Sequence, residues 1–454
     1  MDGPLDFEDE DALFSPPVVP KKRKKIIGLD DLLTDFYREK SKCLERESKR
    51  EKAPQKDNSD DDEDDKEALV CKAVDECQKQ MTELIGEEEI SMWGIRLFGD
   101  QKTPPPLIFP ELRSSLLLQS FMENELSTLV ELPIETGEVF LESLLLNGWL
   151  SKLIISCGHL EKSIASWTFN MILYSSREEL RASACDLWHL VLSSKAEVAS
   201  VPIKIDWFPG YSELRRALET YGFLFSFSST TESVDTNSAC QKPSQNIKAW
   251  VEISAACCQA RSKKPIFSTS EAEELVQFII CLFLDRQLMG LQLLFYECTQ
   301  SVINYFTDEE WTISSKRIAK SLAFRVPMDL NCLRAVECIS GVGPRSKGLR
   351  SAVAYEVLCN CLNCKAANEE EILSLLISIN VKDRSCDLFK MYIYLVLTEN
   401  WLMSTTLLEE KPVLYEMWSV YLRNCSCQIT STDMRSYAPK VRNKASYLLQ
   451  GTIK

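Results

Sequence analysis

Between Thr136 and Ser194 the chain reads TGEVFLESLLLNGWLSKLIISCGHLEKSIASWTFNMILYSSREELRASACDLWHLVLSS, with apolar residues returning every three or four positions. Val139, Phe140, Leu144 and Leu145 form one run, and Ile164, Trp167, Met171 and Ile172 the next. Leu180, Ala184, Leu187, Trp188 and Val191 form a third. A period of about 3.6 residues specifies amphipathic helices and not strands, whose side chains alternate between faces. The breaks are short, at Asn147-Gly148, Cys157-Gly158 and Ser175-Ser176, so each helix must turn back onto its neighbour. Ser176 with Glu179 has the spacing of a capping box. A stacked helical array is the expectation.

The same pattern resumes at Ile247. Helix starts are expected at Ser270 with Glu273, Thr307 with Glu310, and Asn368 with Glu371. The runs EAEELVQFIICLFLDRQLMGLQLLFYECTQSVINYF and ILSLLISINVKDRSCDLFKMYIYLVLTENWL are apolar almost all round, as in helices at the middle of a layered body. Val342 to Gly348 is expected to separate two groups of helices, and a last helix to run from about Pro439 to Gln450. Helix pairs of about 35 to 45 residues match HEAT or armadillo units. The expected class is therefore all-α: an irregular HEAT/armadillo-like body, residues 112–454, with a disordered N-terminal tail. A plain irregular helical domain is the competing reading. Pro202 and Pro209 mark residues 196–212 as a loop or short extended piece. The Ser/Thr/Asn/Gln-rich stretch 226–245 reads as a flexible insertion.

Charge and cysteine content narrow the function classes. With 67 acidic against 52 basic residues, the net charge is -15, which opposes nucleic-acid binding by the chain as a whole. The 18 cysteines are scattered within helical patterns behind an acidic N-terminus, as expected of small apolar core residues in a reducing compartment. No apolar run reaches the length of a membrane span, so no membrane partner is expected.

Residues 1–67 form the tail. Lys21, Lys22, Arg23, Lys24 and Lys25 are five adjacent cations that no core can hold, and they match a nuclear import signal. Leu29, Leu32, Leu33, Phe36 and Tyr37 mark one face of a short helix expected to gain order by docking. A partner protein is the favoured dock, the chain's own body the alternative. The acidic run Asp60 to Asp65 repels itself and is expected to stay disordered. Ser15, ahead of Pro16, and Ser59, ahead of acids, are candidate kinase targets. Residues 68–111 are expected to hold one helix and a connector stiffened by Pro104, Pro105 and Pro106.

Catalytic chemistry is hard to find. Both histidines, His159 and His189, fall in the central helical stretch without an accompanying nucleophile motif, and read as structural residues. No phosphate-binding loop is present, and Gly341-Val342-Gly343 lacks the third glycine of a dinucleotide fingerprint. Cys359, Cys361 and Cys364, with Cys386 downstream, are the sharpest metal candidates, because Cys361 and Cys364 have the spacing of a zinc pair. Their helical context favours buried thiols instead. Two basic clusters, Arg345 with Lys347 and Arg350, and Arg261 with Lys263 and Lys264, could touch DNA phosphate but read more simply as solvated surface. No catalytic, cofactor-binding or metal residue is assigned.

The basic run followed by KKIIGLDDLLTDFYREKSK, the acidic linker, and then ETGEVFLESLLLNG with SIASWTFNMILYSSREELRASACDLWHLVL resemble the CANIN-domain family. This family holds Nse-six-like subunits and localisation factors of the Smc five-six complex, and the chain is similar to its plant-type members. The resemblance covers residues 26 to 45 and roughly 112 to 340. It implies a nuclear, non-enzymatic adaptor that forms a heterodimer with an Nse-five-like helical protein. The pair would recruit or load the Smc five-six complex on chromatin for DNA repair by recombination, and plant members are tied to restraint of defence genes. Any DNA contact would be indirect or weak. As a plant-type member, the chain is expected to lack the long N-terminal extension of the animal members and any partner contacts made there. A transcriptional corepressor scaffold with a peptide-holding groove is the alternative reading.

Overall fold

The computed structural model describes residues 93–111, 113–122, 137–193, 203–225, 243–363 and 368–452, all within one compact unit, Ile85–Lys454. Among these residues the chain forms seventeen α-helices. The first group is α1 (Leu116–Met122), α2 (Gly137–Leu146), α3 (Trp149–Cys157), α4 (Lys162–Tyr174), α5 (Glu178–Leu192) and α6 (Tyr211–Thr220). The middle group is α7 (Ile247–Gln259), α8 (Thr269–Leu282), α9 (Gln292–Ile303), α10 (Asp308–Arg325) and α11 (Leu330–Glu337). The last is α12 (Pro344–Cys361), α13 (Glu369–Ser378), α14 (Leu388–Met403), α15 (Leu407–Glu410), α16 (Pro412–Cys427) and α17 (Ala438–Thr452).

The packing follows the apolar period. Helices α8, α10, α12 and α14 lie side by side in one row, and α5, α7 and α9 in another, with α8 and α9 joining the rows. Alternate helices stacking on each other is the pattern of HEAT and armadillo arrays, in which each pair buries its apolar face against its neighbours. Of the apolar positions read in the central stretch, Val139 alone is well exposed; the others are buried. Trp188 lies at the centre of this part, edge-on to Phe169 and Trp207, with its Nε1 donating to Thr168 Oγ1 at 3.1 Å. Burying an indole is favourable only when its N–H finds such an acceptor.

Helix starts show which caps the backbone uses. Thr307 and Glu310 form the expected box: Thr307 Oγ1 accepts from the Glu310 amide, and Glu310 Oε2 from the Thr307 amide. Asn368 Oδ1 accepts from the Glu371 amide at 2.9 Å, as expected. Two expectations fail. The box at α8 is Ser268 with Glu271, because Ser268 is the extended residue before the helix. Ser270 lies inside the first turn, and Glu273 is buried, accepting from Ser314 Oγ of α10 at 2.6 Å. At α5 the N-cap is Arg177, with no side-chain cap, while Ser175 Oγ accepts from the Arg177 amide. Pro344 to Gly348 is not a separator but the first turn of α12, with Pro344 where a helix has no use for its amide.

Residues 196–212 contain the extended piece expected there. Lys204–Ile205 pairs in parallel with His159–Leu160, which tethers this loop to the α3–α4 turn. The turn is possible because Gly158 takes φ 64°, a left-handed conformation open to a residue without Cβ.

The compact unit starts well before Leu112. Residues 93–102 form an extended strap whose backbone is hydrogen-bonded far along the chain. The Ile95 amide donates to the Leu284 carbonyl, Gly99 to Gly222 and Lys102 to Thr220, while Leu224 donates back to Leu97. Leu97 and Phe98 are buried, and the Leu97 amide donates to the Asp285 carboxylate. Burial raises the Asp285 carboxyl above the ordinary carboxylate range. Trp93 packs between the guanidinium groups of Arg286 and Arg334. Further on, Phe109 meets Trp167 of α4 at 5.7 Å.

Candidate partner-binding surface

Four residues of the basic clusters, Arg261, Lys263, Arg345 and Arg350, tie the segments at helix ends together. The last carbonyls of a helix lack intrahelical partners and carry partial negative charge, so a cation from another element satisfies both needs. Arg345 donates to the carbonyls of Ile303 at 3.1 Å and Phe306 at 2.7 Å, past the end of α9, and pairs with Asp308. Arg350 donates to the carbonyls of Ile339 and Gly341 after α11. Lys263 donates to Val191 and Ser193 at the end of α5, and burial lowers its pKa. Arg261 clamps the Tyr305 carbonyl and Glu310, and Lys264 lies over the Phe208 ring. Of the six cations, the three arginines are half-buried against these acceptors, while Lys263, Lys264 and Lys347 are exposed, as expected of a solvated surface.

The histidines and cysteines separate in the same way. His159 is not helical: it sits in the short strand, half-exposed, with Nε2 2.7 Å from Asp206 Oδ2. That contact holds the loop carrying β-paired Lys204 rather than aligning a nucleophile. His189 lies exposed in the last turn of α5. Cys359 and Cys361 lie on α12, half-buried, while Cys364 falls outside the described residues. The Cys361 sulfur is hydrogen-bonded with Cys332 of α11, which holds the Cys361 thiol below and pushes Cys332 above the ordinary range. No group of three or more metal-ligating side chains occurs among the described residues. Eight described cysteines are buried, and burial pushes Cys185, Cys257, Cys281 and Cys425 up to about 12.

The remaining site candidates, Ser15, Lys21 to Lys25, Leu29, Leu32, Leu33, Phe36, Tyr37 and Ser59, lie outside the described residues, as does most of the 226–245 insertion. Among the described residues no single helix is long and apolar enough to cross a membrane.

What the body does present is an outer face on α10. Ile313, Lys316, Arg317, Lys320 and Phe324 are all exposed, and at 100° per residue they fall within an arc of about 100°. Phe324 is 89% exposed and Ile313 57%, while Met328 just beyond the helix is 52% exposed. The opposite face of α10, with Trp311, Ile318 and Leu322, is buried. Arg317 reaches Glu273 at 3.7 Å, and the Lys320 charge acts on half-buried Glu356 of α12. The stripe was visible in the sequence as apolar residues at i and i+11 with cations at i+3, i+4 and i+7. A second feature is an open groove of about 420 Å³, whose lining includes Lys347, Tyr392, Val396, Asn400, Met403 and Lys444.

Exposed apolar side chains at helical spacing, beside exposed cations, are suited to holding another polypeptide. Comparison with known proteins finds neither a family model nor a curated sequence that matches this chain.

Proposed function

We propose that this chain is a non-enzymatic nuclear adaptor subunit. It pairs with an Nse-five-like helical protein and recruits or loads the Smc five-six complex on chromatin for DNA repair. The observation that carries the reading is the outer face of α10, where a phenylalanine and an isoleucine stand in solvent on a helix whose other side is fully packed. Leaving two large apolar side chains exposed on one stripe is costly unless a partner covers them. The helical-repeat fold supports the reading because such arrays offer extended faces to other proteins. The resemblance of residues 26–45 and 112–340 supplies the identity of the complex. The segment Leu29 to Tyr37 would then reach the Smc complex while the body holds its partner, a bivalent attachment that raises effective concentration.

Affinity purification of the chain from nuclei, followed by mass spectrometry, tests this. Smc and Nse subunits are expected, and Leu32→Ala with Leu33→Ala and Phe36→Ala should reduce the Smc subunits recovered while leaving the body folded. Recovery of transcription factors without those subunits would overturn the proposal in favour of a corepressor scaffold. The open groove of about 420 Å³ between α12, α14 and α17 is what favours that second reading.

A further inference from the structure

We infer that the outer face of α10 docks an acidic amphipathic helix supplied by a partner protein. The inference rests on the adaptor reading only in requiring a protein partner; it does not depend on which complex supplies it. The stripe runs Ile313, Lys316, Arg317, Lys320, Phe324, so two apolar anchors bracket three cations. From Ile313 to Phe324 the helix rises about 16 Å, or three turns. A partner helix of similar length can set an apolar side chain against each anchor and carboxylates against the cations between them.

Three alternatives fit the surface less well. Nucleic acid would meet the cations but gains little from Ile313 and Met328, and it would approach a chain of net charge -15 with Glu309 heading the same stripe. A second copy, paired about a two-fold axis through the stripe, would set Lys316, Arg317 and Lys320 against their own counterparts. A wholly apolar helix would take those cations out of water without bringing any carboxylate to offset the cost. A carboxylate-bearing helix avoids all three penalties. Its carboxylates also meet Lys316, Arg317 and Lys320 along the middle of α10 and not the acidic first turn of Asp308, Glu309 and Glu310.

The probe is a synthetic helical peptide with two leucines three turns apart and three glutamates between them on the same face, labelled and titrated with the purified full chain. Binding is expected, with affinity falling as salt is raised. Phe324→Ser should weaken it at least about tenfold, as loss of an interface anchor does, and Lys316→Glu with Lys320→Glu should weaken it by a similar factor. Phe324 is 89% exposed, so its replacement leaves the fold intact, and an unchanged melting curve confirms this for each variant. Equal binding by Phe324→Ser, or equal binding of a peptide with lysines in place of the glutamates, overturns the inference. So does a labelled DNA duplex that binds through Lys316 and Lys320 while the glutamate peptide does not. A wild-type dimer in sedimentation that Phe324→Ser converts to a monomer assigns the face to a second copy and also overturns it. If the peptide fails while Smc and Nse subunits still co-purify, the assignment of the α10 face falls and the adaptor reading stands.

Discussion

Replacing Arg345 with Met separates a helix-end tie from an ordinary surface ion pair. The guanidinium donates to the carbonyls of Ile303 and Phe306 and to Asp308 Oδ1, so one side chain joins α9, α10 and α12. Its side chain is 25% exposed, whereas the Asp308 side chain is 96% exposed. A hydrogen bond from a charged donor contributes about 1.5–3 kcal/mol, and Met keeps the packing of the aliphatic stem. Two such bonds, discounted for partial exposure, make the expected loss about 2–3 kcal/mol. In a body of this size that corresponds to a drop of about 3–4 °C in the first thermal transition followed by circular dichroism. Asp308→Asn removes only the exposed pair, whose charge water already screens, and should move the transition by no more than about 1 °C. Arg345→Lys keeps the charge but not the fork, and should fall between the two. If Asp308→Asn costs as much as Arg345→Met, the ion pair and not the carbonyl tie is what matters. If neither moves the transition, helix-end ties do not hold this array together.

Two further predictions concern the strap and acid stability. Gly222 has φ +83°, and a Cβ there would lie 2.7 Å from the carbonyl oxygens of Gly99 and Asp100, so Gly222→Ala should lift the strap and speed tryptic cleavage at Arg96 and Lys102; unchanged cleavage would refute this. Glu310 has its pKa lowered to about 2, first by the hydrogen bond from Arg261 and then by the Thr307 amide, so its contribution is present above its ordinary pKa of 4.5 and is lost as pH falls toward 2. Glu310→Gln should therefore lower the melting temperature at neutral pH, with the gap to wild type closing between about pH 5 and 2; a gap that stays constant through that range would show that the carboxylate is not stabilising the fold.

The helices were legible because burial repeats on the helical period, and a segment such as Ile164 to Ile172 carries that period in its own residues. The caps were half legible. A hydroxyl three residues before a glutamate occurs at Ser176, Ser268, Ser270 and Thr307, but only an extended residue directly before the helix can use it, and Ser268 and Thr307 are those residues. The strap was not legible, since Trp93 to Lys102 has no period and its hydrogen bonds go to Leu284, Thr220 and Gly222. His159 was misplaced in a helix because Gly158, which turns the chain out of α3, looks like any other short break. The carbonyl ties within the cationic clusters were not legible for a related reason. Arg345 and Lys263 find their carbonyls about forty and seventy residues earlier in the chain, a distance over which sequence spacing carries no geometric information.

Tying Arg345 and Arg350 to backbone carbonyls within the body has a consequence for binding. In a plain repeat array each pair holds only its neighbours, so the outer faces shift as the units flex. Here Arg345 fixes the start of α12 to the end of α9 and the loop before α10, Arg350 fixes α12 to the end of α11, and Ser314 of α10 bonds the buried Glu273 of α8. Helix α10 is thus held at its start and along its inner side before any partner arrives. A face ordered in advance loses less conformational entropy on docking, so two apolar anchors and three cations can deliver more of their gross interaction as affinity. The internal ties and the exposed stripe are therefore linked: weakening Arg345 should loosen the α10 face for its partner even though Arg345 itself never touches that partner.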